Sequence, residues 1–598
     1  MELGARLTER GAIFAVRAPR AEAVTLCLFD GKEERRHAMA RRGDDWCGEV
    51  HGVVAGQRYG YRAEGEWAPE RGHWFDPAKL LVDPYATAVD QRFGWHPALN
   101  QYGVETATLV PWSVLEATLP DVERAAPVFT RGGLIYEINV RGFTMLHPDI
   151  APEQRGTVAA LAHPAIISHL QKLRVTAVEL MPIVAWIDER HLPPLGLSNA
   201  WGYNPVVPMP LDPQLCPGGM AELRATVAAL HAAGIGVILD LVFNHTGESD
   251  DHGPILSLRG LDDAAYAREP DGRLINDTGT GNTLDFSQKP VRDLILASLR
   301  HFVRHAGIDG YRFDLAPVLA RGPAFDPAAP IFAAIADDAW LADRVLIAEP
   351  WDLGPGGYRL GKFPDNWLEW NDIFRDDVRR FWRGDGGIGS LVTRLCGSSD
   401  ILGKPSRTVN FLAAHDGFTL ADTVAYEAKH NEANGEGNRD GHNENCSWNN
   451  GIEGPSDDPV VTAARAGDLR ALLATLFAST GTIMLTAGDE FGRSQRGNNN
   501  AYAQDNEIGW VAWAGRDTAL EDFVSRLSNA RAEALAAFVQ FPEPGVWTRL
   551  DGAPMTVADW ESPECEVVTY ESVLGDGKRF RLKVDRNAKS VFVDIGSE

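Results

Sequence analysis

Cysteine is scarce. Six in 598 residues (Cys27, Cys47, Cys216, Cys396, Cys446 and Cys565) stand far apart, with no CxxC pair and no dense framework. That spacing argues for reduced thiols, and so for a cytoplasmic protein, over a secreted disulfide scaffold. Long apolar runs are missing too. No stretch approaches the ~18 residues of a membrane span, and the opening MELGARLTERGAIFAV lacks the apolar h-region of a secretory signal. Positive charge is in short supply: 57 Lys and Arg against 83 Asp and Glu leave a net charge of −26 at pH 7. A surface so negative repels phosphate backbones and anionic lipid, so neither nucleic acid nor a membrane is expected as a partner. Nor is there a glycine-rich phosphate cradle. With 44% apolar and 23% charged residues the chain has the composition of a globular protein, not of a disordered one. Tryptophan, in contrast, is plentiful at 17 residues, and its broad face suits stacking on sugar rings.

The length predicts two to four domains. Residues 1 to about 115 read as short strands separated by turns, including 12–16, 23–29, 46–50 and 59–62, the signature of a small β-sandwich. Residues 101–131, broken by Pro111, Pro120 and Pro127, suit a linker laid over a surface. From 116 to 540 apolar runs alternate with amphipathic helices. The candidate strands are 134–139, 177–183, 237–243, 310–314, 345–348, 367–370, 408–413 and 482–486, mostly continuous apolar runs, as strands covered on both faces should be. Helices are expected at 221–233, 291–305 and 463–479, where apolar positions recur three or four apart. Eight strands alternating with helices predict a (β/α)8 barrel enlarged by insertions. The long polar stretches 246–289 and 427–460 are expected to be binding walls or lids. From 541 to 598 short strands return, at 566–570 and 590–593, and predict a small all-β domain.

Barrel active sites gather at the carboxyl ends of the strands. Those ends read DLVFNH (240–245), GYRFD (310–314), IAEPW (347–351) and FLAAHDG (411–417). Three strands thus deliver Asp314, Glu349 and Asp416 to one mouth, with Arg312, His245 and His415 beside them. Singly, each has an ordinary explanation as an ion pair, a turn residue or a core histidine. Together they fit glycoside hydrolysis, which needs one ionised carboxylate and one protonated carboxylic acid across the bond to be cut. Arg312 shares a strand face with Asp314 and favours its carboxylate form. Glu349, between Leu346-Ile347-Ala348 and Pro350-Trp351, has more apolar company, which raises an acid's pKa as proton donation requires. A metal cluster of His245, Asp240, Asp314 and His415 is the rival, but no HxH or HExxH spacing supports it, so neither metal nor cofactor is expected.

With these residues in view, the chain resembles the α-amylase superfamily, glycoside hydrolase family 13. Within it, the stretches NAWGYNPVVPM (199–209), SLRGLDD (257–263), GNTLDFSQ (281–288), EWNDIFRDDVRRFW (369–382), KHNEANGEGNRDGHNEN (429–445) and AGDEFGRSQRGNNNAYAQDN (487–506) are similar to bacterial glycogen debranching enzymes of the isoamylase type. The resemblance implies a glycogen-binding type of sandwich at the N-terminus. It makes Asp314 the nucleophile, Glu349 the general acid/base and Asp416 the third carboxylate, which binds ring hydroxyls. It makes Arg312 the residue that orients the nucleophile, His245 and His415 the histidines at the bound glucose, Tyr203 its stacking tyrosine, and Asp240 and Asn244 the supporting positions.

Trp351 and Trp370 are further candidates for stacking on glucose, although Trp370, inside a candidate strand, suits core packing equally well. The expected partners are glycogen, limit dextrin and branched malto-oligosaccharides, cut at α-1,6 branch linkages with retention. An α-1,4-acting amylase, a pullulanase or a transglycosylase shares the same residues. A non-catalytic glycogen-binding protein would have lost one of the three carboxylates.

Overall fold

The computed structural model describes residues 2–117, 119–403 and 407–596. Its centre is a closed barrel of eight parallel strands: β1 (Leu134–Ile138), β2 (Val175–Leu180), β3 (Gly236–Leu241), β4 (Gly310–Phe313), β5 (Val345–Ala348), β6 (Leu368–Asn371), β7 (Thr408–Asn410) and β8 (Thr482–Thr486). Closure is made where β8 pairs with β1, Leu134 opposite Ile483 and Glu137 opposite Thr486. All eight expected strands are present, within a few residues of the expected bounds.

The barrel core divides by strand alternation. Ile135, Ala177, Ile238, Ile347, Trp370, Val409 and Met484 fill the interior, together with Phe411. Tyr136, Val178, Leu239, Tyr311, Phe313 and Ile483 face the surrounding helices. Among these helices, Gly219–Ala232, Lys289–Ala306 and Pro459–Ala478 lie where the apolar period put them. The helix Lys289–Ala306 begins with Pro290 in its first turn and ends at Gly307 with φ 79°, a proline start and a left-handed glycine stop.

Two four-stranded antiparallel sheets form the N-terminal sandwich. One runs Gly4–Thr8, Gly11–Arg17, Asp45–His51, Ala40–Arg42; the other runs Ser113–Val114, Arg58–Glu64, Ala23–Asp30, Glu33–Ala38. Phe14, Leu26, Leu28, Tyr59 and Tyr61 pack between them. A third antiparallel sheet, Gly545–Thr548, Val567–Val573, Arg579–Asp585 and Ser590–Gly596, ends the fold. Its Val568, Tyr570, Phe580 and Leu582 share one core with the barrel helices.

One expectation needs correction. The stretch 101–131 is not simply draped over a surface. Its Ala107 and Val110 are buried with Ala185, Ile187 and Val206, and Ser113–Val114 adds an edge strand to the sandwich. Prolines erase the periodicity of such a segment without making it polar, so its inward residues escape a pattern search. The polar stretch 246–289, expected as a binding wall or lid, is tied down from within. Buried Glu248 accepts the N–H groups of Leu256, Ser257 and Arg259 and the hydroxyl of Tyr266. Ser257 Oγ donates to the Val82 carbonyl of the N-terminal region. An acid can be buried there because four donors meet it.

Candidate active site

The carboxyl ends of β3, β4 and β5 converge on one guanidinium. Arg312 lies on the interior face of β4, fully buried, with its neighbours Tyr311 and Phe313 turned outward. Its Nη1 donates to Asp240 Oδ1 at 3.0 Å and to Asp314 Oδ1 at 2.9 Å. Its Nη2 pairs with Glu349 Oε1 at 3.2 Å. A fixed fork of donors can hold three carboxylates where a lysine would hold them loosely. Asp314 has a second anchor: Asn244 Nδ2 donates to its Oδ2 at 2.7 Å and to its carbonyl at 2.9 Å.

Glu349 is held differently. Its Oε2 accepts the backbone N–H of Leu315 at 2.6 Å. Burial, opposed by the pull of Arg312 and aided by the charge of Asp314, raises its pKa to about 8. Asp240 is raised to about 6, again by burial against the pull of Arg312. Glu349 therefore keeps its proton through neutrality, beside Asp314, which Arg312 and Asn244 hold in place.

Tyr203 and His415 form the opposite wall. The Tyr203 hydroxyl donates to Asp240 Oδ2 at 2.5 Å, and its ring stacks on His415 with centroids 4.8 Å apart. His415 Nδ1 lies 2.7 Å from Glu137 Oε1, and Glu137 Oε2 accepts from the Thr486 hydroxyl. Burial depresses the basicity of His415, but the Glu137 charge and hydrogen bond outweigh it and raise its pKa. His245 is buried, with Nδ1 2.5 Å from Asn244 Oδ1 and Nε2 3.0 Å from the Tyr203 carbonyl. Burial lowers its pKa to about 4. Both of its ring nitrogens thus face protein atoms, and it braces Asn244 behind Asp314.

Asp416 is the open member of the set, its side chain 46% accessible. Burial within the mouth works against its charge, but the hydrogen bond and charge of His442 carry its pKa below the ordinary range. Trp351 is partly buried beside the inner barrel residues. Trp370 resolves to core: it is 2% exposed, and its ring lies 4.3 Å below the Arg312 guanidinium, a cation–π floor out of a sugar's reach.

Three residues of this site escaped the sequence reading. Glu137 and Glu179 are acids set inside the apolar strands LIYEI and VTAVEL, and that interruption was the available signal. Glu179 is fully buried with neither carboxylate oxygen hydrogen-bonded. His442, within an Asn-rich loop, carries no such mark. Among the described residues, no group of three His, Cys, Asp or Glu side chains is arranged to hold a metal ion.

A parallel barrel whose mouth pairs a neutral carboxylic acid with an anchored carboxylate has the constitution of a glycoside hydrolase. Comparisons with known proteins carry the assignment further. Residues 2–86 match the family model of carbohydrate-binding module 48, the isoamylase N-terminal domain. The glycogen debranching enzyme of Yersinia enterocolitica is 45% identical over 94% of this chain and 88% of its own length. That of Serratia proteamaculans is 43% identical over 94% of this chain and 89% of its own. Among solved structures, the pullulanase of Anoxybacillus sp. LM18-11 complexed with maltotetraose superposes with a TM-score of 0.71 at 23% identity, over 98% of this chain and 81% of that one. Identity so low speaks for the fold alone. The identity to the debranching enzymes, spread over nearly the full length, is decisive: the chain belongs to the glycogen debranching enzyme family of the α-amylase superfamily.

Proposed function

We propose that this chain hydrolyses α-1,6-glucosidic branch linkages in glycogen, limit dextrin and branched malto-oligosaccharides, with retention at the anomeric carbon. The observation that carries this reading is the 45% identity to a glycogen debranching enzyme over 94% of the chain. Six free cysteines suit a reducing, cytoplasmic setting.

In this reading Asp314 is the nucleophile. Arg312 and Asn244 direct its carboxylate at the anomeric carbon of the glucose whose bond is cut. Glu349, protonated through neutrality, gives its proton to the leaving oxygen, and a glycosyl-Asp314 ester forms. Glu349, now charged, takes a proton from water, which opens the ester and restores both groups. Asp416 accepts hydrogen bonds from ring hydroxyls, and Tyr203 offers its ring face to the sugar. His415 and Trp351 border the same glucose. Asp240 and Asn244 keep Arg312 and Asp314 in place, and His245, its ring nitrogens facing Asn244 and Tyr203, serves the bound glucose through Asn244.

The test is product analysis. The protein is incubated with phosphorylase-treated glycogen, native glycogen, pullulan and amylose, and the released chains are resolved by length. Short linear chains released fastest from phosphorylase-treated glycogen are expected. A preference for amylose would overturn the bond assignment, and a preference for pullulan would keep the α-1,6 bond but overturn glycogen branches as the substrate; either leaves the chemistry standing.

A further inference from the structure

The three carboxyl groups proposed to act on the sugar are not held alike. Asp314 is fixed by Arg312 and Asn244, and Glu349 by Arg312 and the Leu315 N–H, all from the barrel strands and the turns at their ends. For Asp416 the hydrogen bond to its side chain found among the described residues comes from elsewhere: His442 Nε2, at 2.9 Å from Oδ2, within the long segment 427–460. Both partners are about half open, His442 at 53% and Asp416 at 46%. An ion pair so exposed adds little to the stability of a fold. Its directional value is greater, because a charge-assisted hydrogen bond fixes where a carboxylate points.

The backbone around His442 is built to keep the imidazole there. Buried Asn499 accepts the Gly417 N–H, one residue beyond Asp416, through its own carbonyl at 3.0 Å. Its side-chain amide donates to the His442 carbonyl at 2.8 Å. A second tie runs through buried Arg379, which donates to the Asn445 carbonyl at 2.8 Å and to the Leu412 carbonyl at the end of β7. Asp416 and His442 are thus clamped to a common frame on both sides. The other charged groups acting on the pair are Arg375 and Asp376, from the helix Asp372–Arg383, and the adjacent His415.

We propose that His442 is a positioning residue for Asp416: it aims the third carboxylate into the barrel mouth, so that full activity requires the segment 427–460 to be seated. The inference rests on Asp416 being the carboxylate that grips ring hydroxyls. His442 contributes a donor and, when protonated, a charge, and the two contributions separate by substitution.

The experiment measures kcat and KM on phosphorylase-treated glycogen from pH 4 to 9 for wild type, His442→Ala, His442→Gln and Asp416→Asn, with Tm for each. His442→Ala is expected to lower kcat/KM about tenfold, the scale of a lost charged hydrogen bond, at unchanged Tm. Its activity should also fail at higher pH on acidification, because Asp416 loses the neighbour that keeps its pKa low. His442→Gln restores the donor, so it should recover most of the rate at neutral pH yet keep the displaced acid limb. Wild-type kcat/KM and an unmoved acid limb in His442→Ala, with Asp416→Asn inactive, would overturn the role of His442 alone. Near-native activity in Asp416→Asn would instead overturn the reading of Asp416 beneath it.

Discussion

Leu315 donates its backbone N–H to Glu349 Oε2 at 2.6 Å while standing at φ 42°, in the left-handed region. A leucine there costs roughly 1–2 kcal/mol, and strain of this kind persists where the surroundings over-determine it. Here the strained turn immediately follows Asp314 and aims its N–H at the acid on the next strand. The two carboxyl groups proposed to act on opposite sides of one bond are therefore registered by a single peptide.

Removing either group tests that pairing. Asp314→Asn should abolish turnover on every substrate with the fold intact. Glu349→Gln should lower the rate on glycogen dextrin by about 10²–10⁴, the usual worth of a general acid. On an activated aryl glycoside, whose leaving group needs no proton, the same variant should be far less impaired. Near-native activity of Glu349→Gln on dextrin would mean that another group supplies the proton.

The pKa of Glu349 sets a pH limit of definite sign. An acid raised to about 8 keeps its proton through neutrality and loses it above that value. Thus kcat/KM should hold up to about pH 8 and then fall about tenfold per unit, since only the protonated form donates. A profile already declining between pH 5 and 6 would show a carboxyl in its ordinary range and remove Glu349 as the acid.

Two aromatic residues at the site should respond in opposite ways. Trp370 is core, so Trp370→Ala should cost about 3–5 kcal/mol of stability, as deletion of a buried indole does. Tyr203 is partly open and stacks on His415. Tyr203→Ala should lower kcat/KM about tenfold or more, beyond any loss expected from its contribution to Tm. Thermal melts beside kinetics per folded molecule separate the two. Unchanged kinetics with a large loss of Tm would return Tyr203 to the core.

These contrasts also show what was legible in the sequence. The eight apolar runs and the acids at their ends were readable because a parallel strand buried on both faces has no reason to end in Asp or Glu unless the mouth uses it. Trp370 was undecidable, since an indole inside a strand looks the same whether it faces a sugar or a guanidinium. Glu137 and Glu179 were visible as interruptions, but their meaning depends on which strand lies opposite, which only closure of β8 on β1 and pairing of β2 with β3 provide. The link from His442 to Asp416 joins positions 26 apart across a segment whose helical turns, Leu420–Thr423 and Glu432–Asn434, are too short to carry a periodicity.

Glu179 yields a prediction about stability. Burial, reinforced by the charges of Asp240 and Glu137, raises its pKa well above the ordinary carboxylate value. The folded protein therefore holds a proton that the unfolded chain releases near pH 4.3. Folded binding more protons than unfolded means that this group's contribution is fully present below that pH and drains away as pH rises, by up to about 1.4 kcal/mol per unit. Glu179→Gln keeps the neutral shape and removes the dependence. Its Tm advantage over wild type should widen from pH 5 to pH 8. A constant difference across that range would show that Glu179 is charged in the fold.

The last prediction concerns the choice of bond, and it turns on Asn434. This fully buried side chain donates to Asp440 Oδ2 at 2.7 Å and to the Asn500 carbonyl at 2.8 Å. It accepts from Asn498 Nδ2 at 3.0 Å and from Gln504 Nε2 at 2.8 Å. An amide used on both sides is what lets an Asn- and Gly-rich segment hold one shape, because each orphaned buried partner would cost about 1–3 kcal/mol. Asn434→Ala orphans several at once and should unseat the segment without touching the barrel. A branch point brings two chains to one site, so a debranching mouth needs a shaped wall beside the bond, and a linear chain makes less use of it. The variant should therefore slow both substrates, because His442 no longer aims Asp416, and should lose a further factor of about ten on phosphorylase-treated glycogen relative to amylose. Replacing 431–447, which removes His442 as well, by a short Gly/Ser turn should give the same excess loss on the branched substrate. An equal loss on both substrates would confine the segment to positioning Asp416, and no loss on either would make it a bystander.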